Sequence, residues 1–139
     1  MRVTKAEVIK TASDMADRNG LHNVSLKAIA ENLGIRTPSL YNHIGSLDEL
    51  LREIAHSGMR TMNEKMIRAA IGKTGDSALK LVAVEYLNYM IEHPGVYEII
   101  QWASWNEQRK QQSFLMIIYL YLKHLFAHVA LIQIRPLKF

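Results

Sequence analysis

Several things are missing from this chain of 139 residues, and each absence narrows the reading. There is no cysteine, which excludes disulfide frameworks and thiolate metal sites. There is no low-complexity tract and no repeat of 20 to 50 residues, so solenoids and propellers are excluded. No stretch alternates polar and apolar residues with period two apart from Ile132-Gln133-Ile134, which removes sheet architectures. The opening MRVTKAEVIK lacks an apolar core of signal-peptide length, so the expected location is the cytoplasm. Neither a glycine-rich phosphate loop nor a nucleophile elbow is present. Asp14, Asp17, Glu85, Glu92, Glu98 and the six histidines fall in no recognised acid–base spacing, and the chain is not expected to be an enzyme. His124 and His128, one helical turn apart, have no acid or cysteine close by to complete a metal site; they read as core or pocket-lining residues, and neither metal nor cofactor is expected.

One long apolar run needs weighing. Phe114 to Ile134 reads FLMIIYLYLKHLFAHVALIQI, about the length that spans a bilayer. Lys123, His124 and His128 sit at its middle, where a lysine costs roughly 2.5–3.5 kcal/mol on insertion. A buried bundle helix is the better reading, with no membrane partner.

What is present is helical punctuation. Thr4-Lys5-Ala6-Glu7 is a capping box, in which the hydroxyl takes one free N–H and the glutamate reaches back to another. Val8, Ile9, Ala12, Met15 and Ala16 follow at helical spacing, and Gly20 ends that helix. Ser25 caps a second helix with Leu26, Ile29, Ala30 and Leu33 inward, closed by Gly34. Thr37 is expected to cap a third helix, with Pro38 in the first turn and Gly45 at its end. Ser46-Leu47-Asp48-Glu49 predicts a second capping box, opening a long fourth helix that turns Leu47, Leu50, Leu51, Ile54, Met59, Met62 and Met66 inward. After a break at Gly72 to Gly75, Asp76 is expected to cap a fifth helix with Leu79, Val82, Tyr86, Leu87 and Met90 inward. His93-Pro94-Gly95 interrupts it. A sixth helix is expected from about Val96 to Trp105, and a last one from near Glu107 to about Leu131. The fold class is all-α.

The second and third helices, joined by a tight turn at Gly34, have the layout of a helix-turn-helix, whose second helix enters the major groove. Spacing alone leaves an ordinary helical hairpin open. Composition adds to it. From Asn32 to Leu47 there is no carboxylate, and the short third helix carries Ser39, Tyr41, Asn42 and His43 outward while Leu40 and Ile44 dock inward. Reading base edges needs donors and acceptors such as an asparagine amide. Holding phosphates needs hydroxyls, backbone N–H groups and cations, and a carboxylate would repel them. Net charge is +4, of which residues 1–75 hold +3, a modest bias towards an anionic partner. Arg2, Lys5, Lys27 and Arg36 are the cations expected to displace counterions from DNA.

The segment SLKAIAENLGIRTPSLYNHIGSLDELL resembles the DNA-binding domain of the TetR-like (tetracycline-repressor) transcriptional regulators. The shared pattern falls on Ser25, Ile29, Ala30, Gly34, Ile35, Leu40, Tyr41, His43 and Ile44, within roughly residues 1–60. HPGVY at 93–97 resembles a stretch in the regulatory domain of one subgroup. The resemblance implies an N-terminal three-helix DNA-binding domain over 1–46 and a C-terminal helical bundle, for regulation and dimerisation, over 47–139. It implies phosphate contacts from Thr37, Tyr41 and His43, base or groove-wall contacts from Pro38, Ser39 and Asn42, and flanking backbone contacts from Ser25 and Lys27, with Arg36 as a nearby cation. Leu47 stands where many members carry a phosphate-contacting lysine.

It further implies a homodimer on a near-palindromic double-stranded operator, and a small-molecule effector whose pocket draws on Met62, Met66, Tyr86, Met90, Trp102 and Trp105. The alternative is a helical protein-interaction bundle that binds no DNA. TetR-like chains usually continue for several more helices, so the ending IQIRPLKF carries the expectation of a truncated or frame-shifted chain with an exposed apolar stripe on its last helix.

Overall fold

A computed structural model describes residues 2–106, and all of their regular structure is helical. The expectations for residues 107–139, among them the last long helix, His124 and His128, the apolar run from Phe114 and the final residues, lie outside the described residues. Six α-helices follow in order: α1 (Lys5–Asn19), α2 (Leu26–Leu33), α3 (Thr37–Leu40), α4 (Leu47–Ala70), α5 (Gly75–Glu92) and α6 (Pro94–Asn106), with a 3-10 turn at Leu21–Asn23. The all-α reading holds for the described residues, among which there is no strand and no helix long and apolar enough to cross a membrane.

Local chemistry sets the ends of the first helices. The Thr4 box closes as expected: Glu7 N–H donates to Thr4 Oγ1 at 3.2 Å and Thr4 N–H to Glu7 Oε2 at 2.7 Å. Ser25 Oγ accepts from Ala28 N–H at 3.1 Å. Gly34 takes a left-handed conformation, φ 67°, which lets the chain reverse between α2 and α3 without strain on a side chain. The Ser46 box is altered. Ser46 Oγ accepts from Glu49 N–H, but the Glu49 carboxylate reaches past the cap to Gly45 N–H at 3.2 Å.

Two expected caps are corrected. Thr37 is the first residue of α3, not its cap; Arg36 occupies that place and no side chain caps the helix. The α-helix is also shorter than expected, because after Leu40 the N–H groups of Tyr41, Asn42 and His43 bond three residues back, tightening into a 3-10 turn. Thr74, not Asp76, precedes α5, again with no side-chain cap.

Val8, Ala12 and Ala16 of α1, Ile29 and Ala30 of α2, and Leu40 and Ile44 form a small buried core. Each fully buried aliphatic contributes about 1.5–3 kcal/mol before entropy is counted. α4 extends about 36 Å at 1.5 Å per residue. It packs against α1, α5 and α6, and Leu50, Leu51, Ile54, Met59, Met62 and Met66 are buried as expected, with Leu47 half-buried. A Lys5–Glu53 ion pair, 2.6 Å, ties the start of α1 to α4.

α5 is the element whose facing differs most from expectation. Tyr86 and Tyr89 are its buried residues, whereas Leu79 and Leu87, expected inward, are 43% and 49% exposed. The reason lies in the sequence itself. Leu79, Leu81, Val82, Val84, Leu87 and Ile91 surround the helix, so periodicity selects no unique inner face. The phenols, the bulkier groups, take the inside: Tyr86 and Tyr97 meet edge-on with their hydroxyls 3.1 Å apart. Burial, with Asp17 nearby, pushes the Tyr89 hydroxyl up to about 12.

Candidate nucleic-acid interface

The α2–α3 pair presents the side chains that the sequence singled out. Leu40, fully buried, and Ile44 hold the reading segment from beneath. Above them Tyr41 is 57% exposed, Pro38, Asn42 and Arg36 are exposed, and Thr37, Ser39 and His43 are half-buried. Ser25 and Lys27 are exposed at the start of α2. These nine residues therefore lie on α2, α3 and the turns that flank them. Among the described residues the Arg36 guanidinium has no carboxylate partner, and Lys27 only approaches Glu31, at 3.9 Å.

The structure adds neighbours that spacing could not show. A cleft of about 390 Å³ runs between the N-terminal segment and the reading helix, lined by Arg2, Val3, Ile35, Ser39, Asn42 and His43. It brings an exposed cation against three of the expected DNA-facing residues, with no acid in the lining. Arg2 lies 33 or more positions before the residues it faces, so no local pattern placed it there. Lys5 behaves differently. Its hydrogen bond to Glu53 raises its pKa and engages the ammonium, so it is a weaker counterion-displacing group than its charge suggests. At the start of α4, Leu47 is flanked by exposed Asp48 and Glu49. That helix start thus offers a phosphate less than a lysine there would.

The residues expected to line an effector pocket are spread over α4, α5 and α6. Met62, Met66 and Tyr86 are buried, Met90 and Trp102 are half-buried, and Arg52 sits 6.0 Å over the Trp102 ring. The Trp105 side chain lies outside what the structure describes. Near the methionines, Asn63 is buried with both amide atoms unpartnered among the described residues. An unsatisfied buried polar group costs of order 1–3 kcal/mol, and no residue pattern had pointed to it. No group of three or more potential metal ligands occurs among the described residues.

Residues 8–54 match the family model for bacterial regulatory proteins of the tetR family, a span that runs from the first buried residue of α1 through the first third of α4. Over residues 8–54 the chain carries a TetR-family domain. It is 35% identical over 96 residues to an uncharacterised HTH-type transcriptional regulator, YobS, of Bacillus subtilis, and 30% identical over 96 residues to a second such regulator, Rv0681, of Mycobacterium tuberculosis. The matched region is 69% of this chain in both cases, and 50% and 44% of the two relatives, so the chain spans about half the length of the curated relatives it matches. Both relatives carry names of regulators, not of enzymes, in keeping with the non-enzymatic reading. The matched domain places α2, α3 and their turn in a helix-turn-helix.

Proposed function

We propose that this chain is a ligand-responsive transcriptional repressor of the TetR family that binds a near-palindromic operator as a homodimer. The observation that carries the DNA-binding part is the run through α3 and its following turn without a carboxylate, raised on Leu40 and Ile44, with the Arg2 cleft beside it. In this reading Asn42 and Ser39 meet base edges, with Pro38 against the groove wall. Thr37, Tyr41 and His43 hold phosphates, Ser25 and Lys27 touch the flanking backbone, and Arg36 supplies charge.

A two-fold dimer would set two reading helices about one turn of DNA apart, which is why the operator is expected to be near-palindromic. An effector seated among Met62, Met66, Tyr86, Met90, Trp102 and Trp105 would act by binding one dimer geometry better than the other, since equal affinity for both shifts nothing. α4, which leaves the reading segment at Leu47 and packs against α5 and α6, is the element able to carry that change.

The test is selection of bound duplexes from a random pool by the purified chain, followed by a salt series on the selected site. A palindromic consensus and an affinity that falls steeply with salt are expected. A flat log–log salt plot would remove DNA binding from the reading; a single half-site consensus would remove the dimer alone.

A further inference from the structure

The His93-Pro94-Gly95 stretch has a role that DNA contact does not explain. α6 does not cap itself. The N–H of Val96, its third residue, donates to Asp17 Oδ1 at 2.9 Å, and Asp17 belongs to α1, 79 residues earlier in the chain. The other oxygen of the same carboxylate lies 3.0 Å from His93 Nδ1. A second strut runs the opposite way: Leu21 N–H, just past α1, donates to Glu98 Oε2 on α6 at 2.9 Å. Between the two, Gly95 is buried so closely on α1 that a Cβ there would lie 1.9 Å from the Ala16 carbonyl carbon. α6 also meets α4 through another glycine, since a Cβ on Gly58 would lie 2.5 Å from Val96 Cγ1.

We propose that Asp17 and Gly95 form a latch that makes the DNA-reading domain follow α6, with Asp17 as a positioning residue for DNA binding although it touches no DNA. A free N–H at a helix start must find an acceptor, and here the acceptor is on α1. If α6 moved alone, Val96 N–H and His93 would both lose their partner, and the backbone-to-backbone packing at Gly95 would open. Rigid docking of this kind passes a shift from one helix to the next, where a flexible linker would absorb it. The latch thus joins the helices that would hold an effector to α1, and so to α2 and α3. Its consequence for operator affinity rests on the DNA-binding reading above; the latch itself does not.

The experiment uses the full chain and its Asp17→Ala, Asp17→Asn and Gly95→Ala variants, with Asp14→Ala as control, since among the described residues Asp14 pairs only with exposed Lys10 on the same helix. Unfolding in urea is followed by tryptophan fluorescence, because both tryptophans lie in α6, and by hydrogen exchange over residues 26–44. In the parent chain the two transitions should coincide. Asp17→Ala and Gly95→Ala should separate them and weaken binding to the selected duplex by about five-fold or more, the lower range of site-to-site coupling. Asp17→Asn, which keeps an acceptor for Val96 N–H, should fall between. Coincident transitions in all variants, shifted together or not at all, would overturn the latch. If the parent chain binds no selected duplex, the DNA-binding reading fails, and the separation of the two transitions still decides the latch.

Discussion

Residues 2–46 and residues 47–106 solve the same problem, finishing helices and hiding apolar surface, in different ways. In the first region the starts of α1 and α2 are closed by their own neighbours, Thr4 and Ser25, α3 has no side-chain cap, and Tyr41 is the one large apolar side chain left exposed. In the second, Ser46 closes α4, but α5 has no side-chain cap and α6 takes its acceptor from α1. There Ile67, Ile71, Leu81, Val84, Leu87 and Ile91 are exposed, while Asn63 is buried without a partner among the described residues. The reading head leaves little apolar surface exposed. The second region has more apolar surface than residues 2–106 bury, and its buried Asn63 amide finds no partner among them.

The sharpest way to break that comparison is to truncate one leucine in each region. Leu40 is fully buried at the base of the reading segment, and Leu40→Ala is expected to cost ~2–5 kcal/mol of stability through lost transfer energy and the cavity left behind. Leu87 is half-exposed on α5, and Leu87→Ala is expected to change stability by under about 0.5 kcal/mol, as for ordinary surface substitutions. Urea denaturation of both variants gives the two values. A large loss at Leu87 would mean that the α5 stripe is covered in the working protein, and the contrast between the regions would disappear.

A smaller effect separates reading from holding within the first region. Asn42→Ala should relax preference at one or two base pairs, by about 1–3 kcal/mol if its amide makes a bidentate contact. Tyr41→Phe, which removes only a hydroxyl, should weaken binding to all sequences alike. Competition between the selected duplex and single-base variants measures both. If Asn42→Ala lowered affinity evenly across sequences, Asn42 would be a backbone contact and base reading would shift to Ser39.

The same contrast explains which features the residues made legible. The first four helices and the inward set from Val8 to Met66 could be read because caps, glycines and a one-sided apolar stripe agree with one another there. Thr37 was misplaced by one residue because a threonine before a proline fits either the cap or the first turn, and the backbone chose the first turn. On α5 apolar residues all round gave helix but not facing. The Arg2 cleft and the Asp17 latch were not legible at all. Both join side chains far apart in sequence, and the chemistry of Asp17, an ordinary acid on an amphipathic helix, looks no different from that of Asp14 until α6 is laid against it.

The smallest expected effect tests local specification at the first helix start. The Glu7 carboxylate accepts from the Thr4 backbone N–H and from its hydroxyl, and these bonds hold its pKa below the usual carboxylate value. A depressed folded-state pKa stabilises the fold above the unfolded value, and that contribution is lost as pH falls through the folded value. Glu7→Gln keeps an acceptor at the same place but has no charge to titrate. The parent chain should therefore exceed the variant in melting temperature by a constant margin at neutral pH, and the margin should shrink on acidification below about pH 4.5, the ordinary range for a glutamate. Because the group is fully exposed the margin will be small, so paired melts at each pH are needed to resolve it. A margin that stays the same from neutral pH down to pH 3 would show that the box works through its hydrogen bonds alone. The helix-dipole attraction for a charged residue in the first turn would then contribute nothing measurable here.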